Sequence, residues 1–357
     1  MIVTKLLLRN FRNYPFQELE FDKGLNIIVG DNAAGKTNIV EAIHFLSLAR
    51  SFRTNETLDL IMKSCQFGVI EARVEQLVSP KEIKALVTPS GKKITCNDKQ
   101  VKRISELASL VNVIVFEPKD ALMFNDSPLV RRNFLDVSLS KKSQVYLENL
   151  MMYEHLIKER NSLLKNETVD MVQLDVVTKQ LVDVSEVIVK ERYEYIKKLN
   201  EILSKIITKI KGEDEKAELL YEPFVKFGPN FKDLALRAYE RNKESDLKRK
   251  ATQIGIHRED FKMILNGYDI SSHGSQGENR IAVIGLKLAP YFLIEDKELR
   301  PIVVLDDVMS ELDKEHQDRL IAFLRGFEQV FITSTHTNIK DASIYEVKNH
   351  KVQRRIA

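Results

Sequence analysis

Leu25-Asn26-Ile27-Ile28-Val29-Gly30-Asp31-Asn32-Ala33-Ala34-Gly35-Lys36-Thr37 is the most informative stretch of the chain. Leu25 to Val29 read as a buried strand that stops at Gly30. The residues after Thr37 carry apolar side chains at Ile39, Ala42, Ile43 and Leu46, the spacing of a helix lying on a sheet. Gly30 to Thr37 match the phosphate-binding P-loop in full, in its required place between strand and helix. Small residues let successive backbone N–H groups close around phosphate oxygens, and the helix N-terminus adds favourable partial charge. Gly30, Asp31, Asn32, Ala33, Ala34, Gly35 and Asn38 are therefore expected around the phosphates of ATP, with Lys36 on the β and γ phosphates and Thr37 on Mg²⁺.

Toward the other end of the chain, Ile302-Val303-Val304-Leu305 runs into Asp306-Asp307, the Walker B arrangement of a buried strand that delivers a carboxylate to the metal. Asp306 is the expected Mg²⁺ partner. Asp307 either polarises the attacking water, with less reach than a glutamate, or only caps the next segment. Roughly 260 residues separate the two motifs, so a large insertion must project from the fold. Just ahead of Walker B, Ser275-Gln276-Gly277-Glu278 leads into a helix with Ile281, Ile284 and Leu288 on one side. It resembles the ABC signature LSGGQ, with Ser275 and Gly277 matching, Glu278 in the glutamine position and Gln276 departing from a glycine. In ABC heads such a signature lies remote from its own P-loop and meets the γ-phosphate of a second subunit, which implies a homodimer formed on ATP binding. Ser310 and Asp313, in Ser310-Glu311-Leu312-Asp313, resemble the D-loop that crosses the dimer interface. His336, after the next strand, resembles the switch histidine that contacts γ-phosphate.

Between these landmarks, residues 66–116 read as a meander of short strands around the turn signal Pro89-Ser90-Gly91. From about residue 128 glycine and proline nearly vanish until Pro223, and the pattern turns helical. Leu174, Val177, Leu181, Val184 and Ile188, then Tyr195, Leu199, Ile202, Ile206 and Ile210, follow 3-4 spacing with an interruption at Glu191. A turn at Asn166-Glu167-Thr168 would leave one helix before it and a longer one after. So short a seam suits a small bundle and a coiled coil equally. The expected architecture is α/β, an ABC-type ATPase head with a mixed sheet. Residues 1–127 and 251–357 form the head, and 128–250 form an inserted α-helical arm.

At 357 residues the chain has room for a head and one sizeable insertion. Lys+Arg 55 against Asp+Glu 52 makes the net charge only +3, so a nucleic-acid surface must be local. Cys65 and Cys96 stand far apart with no Cys or His at metal-ligand spacing, which fits a reducing cytoplasm better than a disulfide framework or zinc site. No signal peptide or membrane span is recognisable, which excludes transport. Lys92, Lys93, Lys102 and Arg103 cluster on the side sheet, and Lys248-Arg249-Lys250 ends another basic stretch. The blander reading of each is a solvated face. No base-reading motif stands out, so DNA contacts are expected at phosphate and indifferent to sequence.

Leu8-Arg9-Asn10-Phe11-Arg12-Asn13-Tyr14, Arg50-Ser51-Phe52-Arg53-Thr54, Phe116-Glu117-Pro118-Lys119-Asp120, the run from Ser127 to Asp136, and His257-Arg258-Glu259-Asp260 resemble RecF-family segments in the same order. The resemblance covers nearly all of the chain outside the arm. It implies a cytoplasmic, ATP-binding and DNA-binding protein of recombinational gap repair and replication restart. Such a protein works with RecR and RecO in loading RecA, takes part in the SOS response, and is a weak DNA-dependent ATPase. Arg12 and Asn13 resemble residues that approach nucleotide in this class, yet could equally be structural. No glutamine stands at 116–120, where a Q-loop is sought. A pure binding module, with ATP as structural ligand, is the competing reading; turnover with and without DNA separates the two. A nuclease would need a further acidic metal-binding domain and ranks last.

Overall fold

The computed structural model describes residues 1–76 and 79–355; Leu77, Val78, Ile356 and Ala357 lie outside the described residues. The chain opens with β1 (Ile2–Phe11) and β2 (Tyr14–Glu20), then β3 (Gly24–Gly30), which feeds the P-loop and helix α1 (Lys36–Leu48). The meander follows as β4 (Gly68–Glu75), β5 (Lys81–Thr88), β6 (Gly91–Cys96) and β7 (Lys99–Gln100), with α2 (Ile104–Leu110) leading into β8 (Val113–Phe116). Then come α3 (Pro128–Lys142), α4 (Gln144–Lys165), α5 (Met171–Lys211), β9 (Ala217–Glu222), α6 (Phe231–Arg249), β10 (Asp260–Leu265), β11 (Tyr268–Asp269) and α7 (Ile270–His273). The chain finishes with α8 (Gln276–Phe292), β12 (Ile302–Leu305), α9 (Lys314–Leu324), β13 (Gln329–Ser334), β14 (Ser343–Lys348) and β15 (Lys351–Arg354).

Two compact units result: residues 1–121, 205–214 and 276–357, and residues 122–204 and 215–275. The division differs from the expected boundaries at 128 and 250. The C-terminal boundary moves furthest, because β10 and β11 pair with β9 in a sheet of the second unit, order β11-β10-β9. The expected all-helical arm therefore carries a three-stranded antiparallel sheet.

The first unit holds two six-stranded sheets. One is antiparallel, order β2-β1-β4-β5-β6-β7; the other has order β15-β14-β3-β13-β12-β8 and is parallel except for β15. Every residue of β12 and β13 is buried, as strands covered on both faces require. Helix α1 packs against β3, β8 and β13 and also against β4 and β5, which explains why His44 and Ser47 are buried along with Ile39, Ala42, Ile43 and Leu46. The carbonyl of Ala49, the C-cap residue of α1, accepts a hydrogen bond from Lys92 Nζ on β6, a cation placed at the negative end of the helix dipole.

In the second unit α5 is one continuous helix of 41 residues, entering the first unit at Lys205. Leu174, Val177, Leu181, Ile188, Tyr195, Leu199, Ile206 and Ile210 are buried as the spacing predicts, with Val184 and Ile202 half-buried. The turn ahead of it spans residues 166–170. At the interruption of the seam sits Arg192, 1% exposed, ion-paired to Asp136 at 2.8 Å and Glu259 at 2.6 Å. Its neighbours on other elements resolve the choice left open by the sequence in favour of a bundle. Arg160 on α4 pairs with Asp246 on α6 at 2.8 Å and donates to Thr178 on α5 at 2.9 Å.

Candidate nucleotide site

The site forms at the carboxyl ends of the parallel strands, where βα loops leave room for a ligand. β3 ends at Gly30, and the loop turns through Ala33 (φ 64°) and Gly35 (φ 113°) into α1. Gly35 is required twice over: its φ is left-handed, and a Cβ there would stand 2.7 Å from Asn13 Nδ2 and 2.8 Å from the Tyr14 hydroxyl. Tyr14 donates to the Gly35 carbonyl at 3.1 Å and so braces the loop. Lys36 Nζ donates to the carbonyls of Gly30 (2.7 Å) and Asp31 (2.9 Å). Burial lowers the Lys36 ammonium below its usual range, opposed by the charges of Asp307, Asp306 and Asp31.

Thr37 and Asp306, 269 positions apart, meet here: Thr37 Oγ1 donates to Asp306 Oδ1 at 2.9 Å. Thr333, at the end of β13, donates to the same oxygen at 2.6 Å and accepts the Asp307 N–H at 2.9 Å. Burial raises the Asp306 carboxyl above the ordinary range, opposed by the hydrogen bonds from Thr333 and Thr37 and by the charge of Arg53. Asp307 has φ 52°, and its carbonyl accepts from Ser310 Oγ at 2.9 Å, tying the next loop to it. A hydroxyl and a carboxylate oxygen at hydrogen-bond distance are the hard donors that Mg²⁺ takes when it binds through few protein groups and substrate phosphates.

The other expected residues fall in several places. His336 is exposed just past β13, its Nδ1 2.9 Å from Thr335 Oγ1. Gln276, Gly277 and Glu278 form the first turn of α8, directly after Ser275, as an anion-binding helix start requires. Glu278 pairs with Lys211 at 3.2 Å, and Arg280 pairs with Glu311 within the segment that resembles the D-loop. Asp313 caps α9, its carboxylate accepting from His316 N at 3.0 Å. Asn13 Oδ1 accepts from Asn38 Nδ2 at 2.7 Å, which brings Asn13 against the P-loop helix. Arg12 instead turns to the fully buried Glu41, at 2.9 and 2.5 Å, and to the Asp59 carbonyl at 2.7 Å. The basic candidates Lys92, Lys93, Lys102, Arg103, Lys248, Arg249 and Lys250 are all exposed, and Lys92 is in addition tied to the Ala49 carbonyl at the end of α1.

Residues beyond those picked from the sequence also belong here. Arg53 donates to Asn38 Oδ1 at 2.8 Å and lies 3.5 Å from Glu41 Oε2, on the very loop that carries the Arg50–Thr54 resemblance. Thr333 had only its place before His336 as a signal. Glu117 follows Phe116, whose carbonyl accepts the Asp306 N–H at 2.9 Å, so the segment searched for a Q-loop does abut Walker B. Burial raises the Glu117 carboxyl above its usual range, with Lys119 opposing at 2.9 Å.

A P-loop, a Walker B strand two places away in a parallel sheet and a flanking antiparallel sheet define an ABC-type ATPase head. The family model described as RecF/RecN/SMC N terminal domain matches residues 2–354. The chain is 36% identical over 370 residues to the DNA replication and repair protein RecF of Halalkalibacterium halodurans, covering 99% of this chain and 100% of that one. It is 36% identical over 358 residues to RecF of Clostridium perfringens, with 99% and 98% covered. Among solved structures, the recombination mediator protein RecF of the RecFOR pathway, as RecF-ATP, is similar with a TM-score of 0.89 at 31% identity, covering 99% and 97%. An Smc head bound to the C-terminal winged-helix domain of ScpA, at 15% identity and a TM-score of 0.60 with 99% and 97% covered, shares the fold. The chain belongs to the RecF family of DNA replication and repair proteins.

Proposed function

We propose that this protein is an ATP-gated DNA clamp: ATP joins two copies head to tail, the dimer holds DNA, and slow hydrolysis resets it. The meeting of Thr37 and Asp306 at 2.9 Å, with Asp307 fixed beside them by Thr333, carries the reading. Lys36 and the P-loop amides bind the triphosphate, Thr37 and Asp306 hold Mg²⁺, and Asp307 orients the attacking water. When bound, the metal neutralises charge on the β and γ phosphate oxygens. His336 contacts the γ-phosphate, while Ser275, Gln276, Gly277 and Glu278 complete the site of the partner copy, with Ser310 and Asp313 crossing between copies. Arg12 braces Glu41 rather than the ligand.

In this role the protein acts in the cytoplasm with RecR and RecO to help load RecA at gaps, in replication restart and the SOS response. The 31%-identical RecF of the RecFOR pathway, solved as RecF-ATP, supports the partners and the nucleotide. DNA contact is electrostatic and sequence-neutral, through exposed lysines and arginines such as Lys93, Lys102, Arg103, Lys248, Arg249 and Lys250. Fluorescence anisotropy with gapped DNA is the test. Affinity should fall steeply with salt and rise with ATP at fixed salt. Binding indifferent to nucleotide, or strongly dependent on base sequence, would count against a clamp.

A further inference from the structure

Two hairpin turns meet beside the P-loop. The β1–β2 turn, closed by the Phe11–Tyr14 pair, carries Arg12 and Asn13; the β14–β15 turn, closed by the Lys348–Lys351 pair, carries Asn349 and His350. Gln17 on β2 holds the hairpins together, accepting from Val352 N at 3.0 Å and donating to Val352 O at 3.3 Å. At the junction Asn13 Nδ2 lies 2.6 Å from His350 Nδ1 and 3.4 Å from the Ala34 carbonyl of the P-loop. Because β14 pairs with β3 up to Val347 opposite Gly30, the Asn349-His350 turn projects past the strand ends where the ligand binds.

The direction of the nucleotide follows from the sheet. Thr37 and Asp306 mark its metal and γ-phosphate end, and Asp306 follows β12, on the β13 side of β3. A triphosphate lying along the P-loop from that end delivers its nucleoside toward the opposite side, where β14 and β15 stand. His350 is exposed there and adopts φ 60° after Asn349 at φ 50°. A two-residue turn with both φ positive favours glycine at its second position, so an imidazole in that place is held at a backbone cost.

We propose that His350 and Asn13 receive the nucleoside end of the bound nucleotide, the imidazole against the base and the carboxamide joining it to the P-loop. The assignment rests on the P-loop reading above and adds to it a residue that sets affinity for the nucleoside rather than for the phosphates.

Calorimetric titration of the full chain with Mg·ATP and with inorganic tripolyphosphate tests it, using wild type, His350→Gly and Lys36→Met. Glycine is the residue the turn prefers, so His350→Gly should fold, and its melting temperature checks this. His350→Gly should lose about tenfold in ATP affinity, the size of one good polar or ring contact, and keep its tripolyphosphate affinity within about twofold. Unchanged ATP affinity, or an equal loss for both ligands, overturns the assignment. Lys36→Met should weaken both ligands. A wild type that binds neither would instead overturn the P-loop reading, and this assignment with it.

Discussion

Asp307 occupies left-handed backbone space, φ 52°, with its N–H held by Thr333. Asparagine tolerates that conformation at least as well as aspartate. Asp307→Asn should therefore retain ATP binding and abolish turnover, read by titration and by phosphate release. Lys36 acts differently, because its charge-assisted hydrogen bonds to phosphate are part of binding itself. Lys36→Met should cost on the order of 1.5 to 3 kcal/mol in ATP affinity; equal affinity in wild type and variant would remove the P-loop assignment. The P-loop could be read from sequence because each of its positions is dictated by local backbone geometry and one ligand. Thr333 could not, since its contacts with Asp306 and Asp307 exist only once β13 pairs with β12. Arg12 stayed open between two roles for a related reason: a polar side chain beside a P-loop has two acceptors in reach, and only the fold reveals Glu41 buried behind it.

Among the elements, α5 keeps its periodic pattern on both sides of an interruption. At Glu191 the apolar seam breaks while the helix runs on and buries Arg192 against Asp136 and Glu259. A guanidinium there carries no hydrophobic signal, and its partners come from α3 and from the segment before β10. Arg192→Ala should destabilise the chain by about 3 to 5 kcal/mol in urea unfolding, because it strands the buried Glu259 carboxylate beside the half-buried Asp136; a loss below about 1 kcal/mol, the range of an exposed pair, would contradict the buried role. The strands β9 to β11 escaped notice because they are short and half polar, with Glu218, Glu222 and Lys262 facing outward.

The same region sets a pH dependence. His257 Nδ1 lies 2.7 Å from the Tyr153 hydroxyl, and burial lowers its pKa from 6.5 to about 4. The unfolded chain then binds the proton first as pH falls, so this contribution is full above pH 6.5 and is lost between 6.5 and about 4. Urea midpoints measured across that window should fall with acidification in wild type. The fall should be shallower in His257→Gln, which does not titrate; identical slopes would show that His257 is not the group responsible.

For the whole molecule, the return of the head after the insertion was legible from the order of P-loop, signature and Walker B. The boundaries were not, because residues 251–275 look like head strands but complete the sheet begun by β9. The larger consequence of that order is a nucleotide site shared between two copies. If Ser275 serves the partner's ATP, Ser275→Arg should bind ATP as a monomer yet fail to dimerise with it, and Lys36→Met should fail for want of ATP. Mixed, they can form a heterodimer in which one site carries both defects and the other neither. ATP hydrolysis assayed in the separate and mixed variants, with sedimentation alongside, is the most direct measurement. Partial recovery on mixing, up to what one site supports, is the expected result; wild-type turnover by isolated Ser275→Arg monomers would contradict the shared site outright.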